Sequence, residues 1–231
     1  MVCTNGMFDF YEVASIGLYF AVIGYKFLMF GYFLIIRYRK SKRIYWLYFS
    51  LFFIFLAVSR VGYLFYDYFI DPADTFNRLL AWRFANITGW VAVASLSGIL
   101  STLLFTGESK LHMAIKKIFP LIPLGIAVHI IFIPDSWIYS PSALLTWGIA
   151  KWYMNVGIMP IYIFLLPIMF FYLAKKSAGT LQRSFFINGL GLFLYYAVRA
   201  VQAITPSLWW PLLILLAILL MAFANQYEHL K

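Results

Sequence analysis

The feature that most constrains this chain is a succession of long apolar runs joined by short polar connections. The runs fall at about residues 11–36, 44–70, 83–105, 118–133, 152–174, 184–204 and 208–225. A membrane-crossing helix needs about 20 mostly apolar residues. In lipid only a helix or a closed barrel satisfies its own backbone, and these runs are too long for soluble strands. Of the 231 residues, 64% are hydrophobic and 11% charged. That balance excludes a disordered chain, a disulfide-rich secreted domain and an ordinary cytosolic enzyme. The expectation is an all-α polytopic membrane protein: one seven-helix transmembrane bundle forming a single domain over residues 1–231. The fourth run is the shortest, with Pro120 and Pro123 in its first turns. Pro160 and Pro167 are expected to bend the fifth. The single cysteine, Cys3, allows no internal disulfide.

The loop charges are one-sided. The first loop carries Arg37, Arg39, Lys40, Lys42 and Arg43, the third Lys110, Lys116 and Lys117, and the fifth Lys175, Lys176 and Arg183. Most acids fall on the other side: Asp9, Glu12, Asp67, Asp71, Asp74 and Asp135. The positive-inside rule then puts the N-terminus outside and the C-terminus in the cytoplasm. The same rule accounts for the net charge of +10 without a nucleic-acid partner. The lipid bilayer is the expected partner and the plasma membrane the expected location. The first residues lack the basic start and the small-residue cleavage site of a removable signal peptide.

Ionisable side chains inside spans are costly and usually face the bundle interior. Here they recur at helical spacing. Glu12, Ser15, Tyr19 and Lys26 share one face of the first span, while Gly17, Gly24 and Gly31 lie on another, where they would allow close packing. Arg60, Tyr63 and Asp67 share a face in the second. Arg83, Asn86, Trp90, Ser97 and Ser101 do so in the third, and Asn188, Tyr195, Arg199 and Gln202 in the sixth. At about 1.5 Å per residue, Glu12 and Asp67 lie near the outer surface and Lys26 near the midplane. The pattern predicts an outward-opening polar cavity with a basic floor. Its ligand contacts would be Lys26, Arg60, Asn86, Tyr195, Arg199 and Gln202. Glu12, Asp67 and Arg83 would form ion pairs or line the mouth. The same residues also fit a purely structural polar network, with Arg60 answered by Asp67. Lys26 can be uncharged, can snorkel inward, or can meet an anion.

Chemistry that a catalyst would need is sparse. His112, His129 and His229 have no metal-ligand spacing, so no metal site is expected. Paired axial histidines for haem are lacking. Arg83-Phe84-Ala85-Asn86 has a superficial likeness to the third helix of microbial rhodopsins, but the seventh span offers no lysine for a Schiff base. No Gly-rich phosphate loop or carboxylate dyad occurs. A non-enzyme with no catalytic residues and no cofactor is expected.

The layout resembles the seven-helix N-terminal sensor region of prokaryotic histidine kinases. The likeness lies in Trp82-Arg83-Phe84 through Leu103-Leu104-Phe105-Thr106-Gly107, in the Pro-containing start of the fourth span, and in the passage from Gln182-Arg183 to Thr205-Pro206. It covers roughly residues 10–228 at the level of pattern. The resemblance implies a sensor with no catalytic residues in this region. In that family an effector domain follows the seventh helix, whereas this chain stops at Lys231. The expectation is therefore a receptor-like module that binds a small or lipid-like anionic ligand and signals through a separate protein partner. The alternatives are a non-catalytic structural subunit of a larger membrane complex and a small transporter.

Overall fold

The computed structural model describes residues 10–71, 73–107, 109–138, 157–202 and 209–226. Among the described residues there are seven long helices: α1 (Phe10–Gly31), α2 (Ile44–Leu64), α3 (Thr75–Leu104), α4 (Lys110–Phe132), α5 (Met159–Lys176), α6 (Gly179–Gln202) and α7 (Trp209–Gln226). Six of these stretches are long and apolar enough to cross a membrane, and Trp209–Asn225 forms a shorter apolar helix. The all-α class read from the apolar runs is therefore present.

Helix ends differ from the apolar runs for a simple reason. Hydropathy marks where the chain becomes apolar, whereas helices start where a cap can take up the free N–H groups. Asp74 caps α3 by accepting from the Asn77 N–H, so α3 begins well before Arg83. Ser109 caps α4 by accepting from the His112 N–H, so α4 begins at Lys110 and not near Ile118. Pro120 and Pro123 consequently lie inside α4. In α5, Pro160 sits in the first turn and Pro167 in the interior. The expected start of the fifth span at Trp152, the end of the sixth at Ile204 and the start of the seventh at Leu208 fall outside the described residues.

Two helices end in widened turns. α1 continues as a π-helical stretch, Tyr32–Tyr38, and a last turn, Arg39–Ser41. It stops at Lys42, which adopts a left-handed conformation with φ of 54°. α2 continues as a π-helical stretch, Phe65–Phe69.

The chain divides into two compact units, Met1–Ile133 and Pro134–Lys231. In the first, α1 packs on α2, α2 on α3 and α3 on α4. In the second, α6 packs on both α5 and α7. Glycines set the closest approaches. Gly62 abuts Ala85 and Phe84, Gly98 lies under the Tyr48 ring, and Gly191 faces Met221 and the Ala217 carbonyl. Among the described residues of the first unit, the stripe of Gly17, Gly24 and Gly31 does not do this, because a Cβ at any of them would meet nothing within 4 Å. Within the first unit, no described neighbour packs on that stripe.

Candidate functional site

The α1–α2 seam collects the buried cations of the first unit. Lys26, Arg37 and Arg60 are exposed by only 1%, 6% and 5%. A cation near the middle of a spanning helix costs about 3 kcal/mol by insertion scales, so each must be answered locally.

From the α2 C-terminal end inward, the seam begins with hydroxyls. Ser15 hydrogen-bonds the Tyr68 hydroxyl, and the Tyr19 and Tyr68 rings lie 6.2 Å apart. The Arg60 guanidinium lies over the Tyr19 ring at 3.7 Å. A desolvated cation–π contact of this kind contributes about 2 kcal/mol, enough to offset most of the burial cost. Tyr19, Ile23 and Leu64 form a small buried cluster, with Val61 and Tyr68 packed against it.

Two turns along α1, the Lys26 amine donates to the Leu56 carbonyl at 3.4 Å. That contact is long for a hydrogen bond, so by itself it offsets only part of the cost. Leu56 lies one turn before Arg60 on α2, so Lys26 and Arg60 occupy successive levels of one seam, about 6 Å apart along the axis.

Further on, Ser50 donates to the Phe30 carbonyl at 3.3 Å. Phe33 then stacks on Trp46, Phe49 and Phe53 at 5.6, 5.2 and 5.5 Å. Arg37 closes the seam with its guanidinium 4.4 Å from the Trp46 ring centroid. The sequence placed Arg37 among the loop charges. The widened turn keeps it on the helix, one turn beyond Phe33, and folds it inward.

The widened turn of α2 has a similar effect. At ordinary helical spacing Asp67 shares the Arg60 face. In the structure Asp67 is exposed, while the next residue, Tyr68, packs against the seam. A π turn rotates the chain less per residue, which brings Tyr68 onto the Arg60 face, with the Asp67 carboxylate still close enough to act on the Tyr68 hydroxyl. Tyr68 was not singled out from the sequence, and a period of 3.6 residues could not have found it.

No protein-family description, curated protein or solved structure matches this chain. The seam therefore has to be read on its own chemistry. It presents two buried cations, tyrosine and serine hydroxyls, and no buried carboxylate among the described residues. Such a set suits an anion.

The other expected site residues are placed as follows. Asn86 on α3 donates its amide to the Trp82 carbonyl of its own helix at 2.8 Å. Arg83 donates to the Ile133 carbonyl. Glu12 lies on α1, but its side chain falls outside the described residues. In the second unit, Tyr195 is buried and meets Tyr196 edge-on at 5.4 Å. Arg199 is half-buried in the last turn of α6, where a cation complements the helix dipole. Gln202 ends α6, and its side chain also falls outside the described residues.

The polar seam of the second unit is of another kind. The Asn225 amide on α7 donates to Asn188 Oδ1 on α6 at 3.0 Å and to the Met221 carbonyl at 2.7 Å. Asn188 in turn donates to the Ser184 carbonyl at 3.0 Å. Sequence reading placed Asn188 on the polar stripe of α6 but missed Asn225 as its partner. The signal was present as an amide near the end of an otherwise apolar run.

Among the described residues, three grooves stand out on the helix surfaces. One of about 700 Å³ lies between α2 and α3 and carries Asp71, Asp74 and Asn77. One of about 730 Å³ is lined by residues of α2, α3 and α4, including Lys116 and Lys117. One of about 810 Å³ is formed by α5, α6 and α7, with Lys175, Gln182 and Arg183 at one end. None of these three grooves is lined by Lys26, Arg60, Asn86, Tyr195 or Arg199.

Proposed function

We propose that this chain is a receptor-like helical membrane protein. It takes a small or lipid-like anionic ligand at the cationic α1–α2 seam. A change in helix packing then passes to a separate partner. The topology that goes with this reading has the N-terminus outside and the C-terminus cytoplasmic, in the plasma membrane. The chain itself performs no catalysis.

The observation that carries the reading is the burial of Lys26 and Arg60 on successive levels of one seam. A static pair of helices could pack equally well with Leu or Met at those positions, at lower cost. Ionisable groups retained inside a span are a functional-site hypothesis by default. The ring and hydroxyl groups around Arg60 can exchange partners with an incoming carboxylate or phosphate, for which a guanidinium is well shaped. The π-helical stretches that end α1 and α2 supply the movable part. Such turns recur at functional sites, and converting one to α-helix shifts the register of every residue beyond it.

A second reading is a non-catalytic subunit of a larger membrane complex. It is favoured by the internal contacts of the same cations: Lys26 already meets the Leu56 carbonyl, and Arg60 already covers Tyr19.

Native mass spectrometry of the gently extracted protein separates the readings. The receptor reading expects a retained small anionic mass that disappears in Arg60→Leu and Lys26→Met while the helices stay folded. A retained protein mass favours the subunit. Substrate-driven current in proteoliposomes would favour a small transporter. A bare chain, unchanged by either substitution, counts against the receptor.

A further inference from the structure

The groove formed by α5, α6 and α7 has a polar end and an apolar body. Lys175 lies in the last turn of α5 and Arg183 in the second turn of α6, on either side of the short connection at Ser177. Gln182 lies beside Arg183. Beyond them the walls are Phe171, Phe186, Ile187 and Phe223. Phe171 and Ile187 each lie four residues further into their helices than Lys175 and Arg183, or about 6 Å deeper. The cations therefore sit at the level of a helix end, where headgroups lie, and the rings sit at the level of acyl chains. Among the described residues, no carboxylate lines the groove. Its volume of about 810 Å³ falls in the range of small-molecule sites.

We propose that this groove is a binding site for one anionic phospholipid of the bilayer. The phosphate is held between Lys175 and Arg183, with Gln182 as a further donor. The acyl chain runs between Phe171 and Phe223. Lys176 does not compete for this role, because its amine lies 4.6 Å from the Tyr172 ring. The loop charges put the site in the cytoplasmic leaflet, the leaflet that holds anionic lipid. The groove lined by α2, α3 and α4 repeats the arrangement within the first unit. There Lys116 and Lys117 accompany Thr102 and Ser101, over walls that include Leu121 and Leu124. The groove between α2 and α3 is the built-in contrast, with Asp71 and Asp74 in place of cations. The proposal goes beyond the receptor reading and uses none of its residues, so either can fail alone.

The test uses the full chain in mixed phosphatidylglycerol and phosphatidylcholine nanodiscs, released into the gas phase for native mass spectrometry. Phosphatidylglycerol should be retained in preference to phosphatidylcholine. The paired substitution Lys175→Gln with Arg183→Gln should lower that retention on the order of tenfold, since each interfacial cation contributes about 1 kcal/mol toward an anionic lipid. Asp71→Asn with Asp74→Asn should leave it unchanged. Millimolar inorganic phosphate should not displace the lipid. A second measurement needs no variant: a photoactivatable phosphatidylglycerol should crosslink within residues 171–187 or around Phe223. Equal retention of the two lipids would overturn the proposal. So would crosslinks confined to other segments, displacement by free phosphate, or a co-purifying protein in the groove in place of lipid.

Discussion

The two polar seams solve the same problem in different ways. On α6 and α7, two amides meet each other and return their remaining donors to carbonyls of their own helices. The pair is satisfied without charge, and Gly191 nearby lets the two helices approach closely. On α1 and α2, the buried groups are cations resting on a ring and a carbonyl. An amide pair costs little to bury once paired, whereas a cation in lipid costs about 3 kcal/mol before compensation. The first arrangement is what a helix pair needs in order to hold together. The second exceeds that need, which is why we place function there.

The comparison can be broken at its tightest point first. Gly191→Leu should be the most damaging change, because any Cβ at that position would lie 2.8 Å from Met221 Cγ and 2.9 Å from the Ala217 carbonyl oxygen. Overpacking of this sort costs about 1–3 kcal/mol, which thermal unfolding in detergent would show as a fall in Tm of up to about 10 °C for a chain of this size. Gly17→Leu, on the open stripe of α1, should leave Tm unchanged in the same assay.

Next comes the amide pair. Asn225→Leu leaves Asn188 Oδ1 without its donor and should cost about 1–2 kcal/mol. Asn188→Leu combined with Asn225→Leu should recover most of that loss, because the Asn188 amide is then no longer left without its donor. A double-mutant cycle on unfolding free energy gives the coupling. A coupling near zero would mean that the two amides do not need each other.

Tyr19→Leu sharpens the other side of the comparison. It keeps apolar bulk but removes the ring under Arg60, and should cost about 1–2 kcal/mol of cation–π energy. Tyr19→Phe, which keeps the ring, should cost less.

How much of this was legible depends on what kind of regularity the sequence carries. The helices were legible because lipid demands about 20 apolar residues per crossing, and those runs are visible to the eye. Lys26, Arg60 and Asn188 were legible because a charge or amide in such a run stands out. The starts of α3 and α4 were not, since Asp74 and Ser109 act through single hydrogen bonds at polar positions beyond the apolar run. The widened turns were not legible either. The apolar run ends before Arg37 and so gives it to a loop, and a fixed period of 3.6 residues does not pick out Tyr68, whereas the π stretches turn both inward. The pairing of Asn188 with Asn225 needed the tertiary contact between α6 and α7.

The smallest effect concerns the cap of α3, outside the apolar part of the helix. Hydrogen bonds from the Asn77 side chain and backbone N–H hold the Asp74 carboxyl below the usual aspartate range. A folded-state value lower than the unfolded one means that the cap's contribution is present above the ordinary aspartate pKa. It is lost as pH falls through the lower, folded value. The stability gap between the parent protein and Asp74→Ala should therefore be small and constant from neutral pH to about pH 5, and should close under more acid conditions. Parallel thermal scans at several pH values would show it. A gap that widens with acid would contradict the sign.

On the receptor reading, the charge of Lys26 is not what holds α1 to α2. Leu56 lies inside α2, so its carbonyl accepts the ordinary helical bond from the N–H four residues on. Removing the lysine therefore leaves that carbonyl bonded within its own helix. Lys26→Met keeps the length of the side chain and removes the charge. The decisive measurement is the thermal unfolding of Lys26→Met beside the parent protein in lipid nanodiscs. The expected Tm is equal to or above that of the parent. A fall of about 5 °C or more would show that the buried amine is a structural pin, and would move the seam from function to architecture.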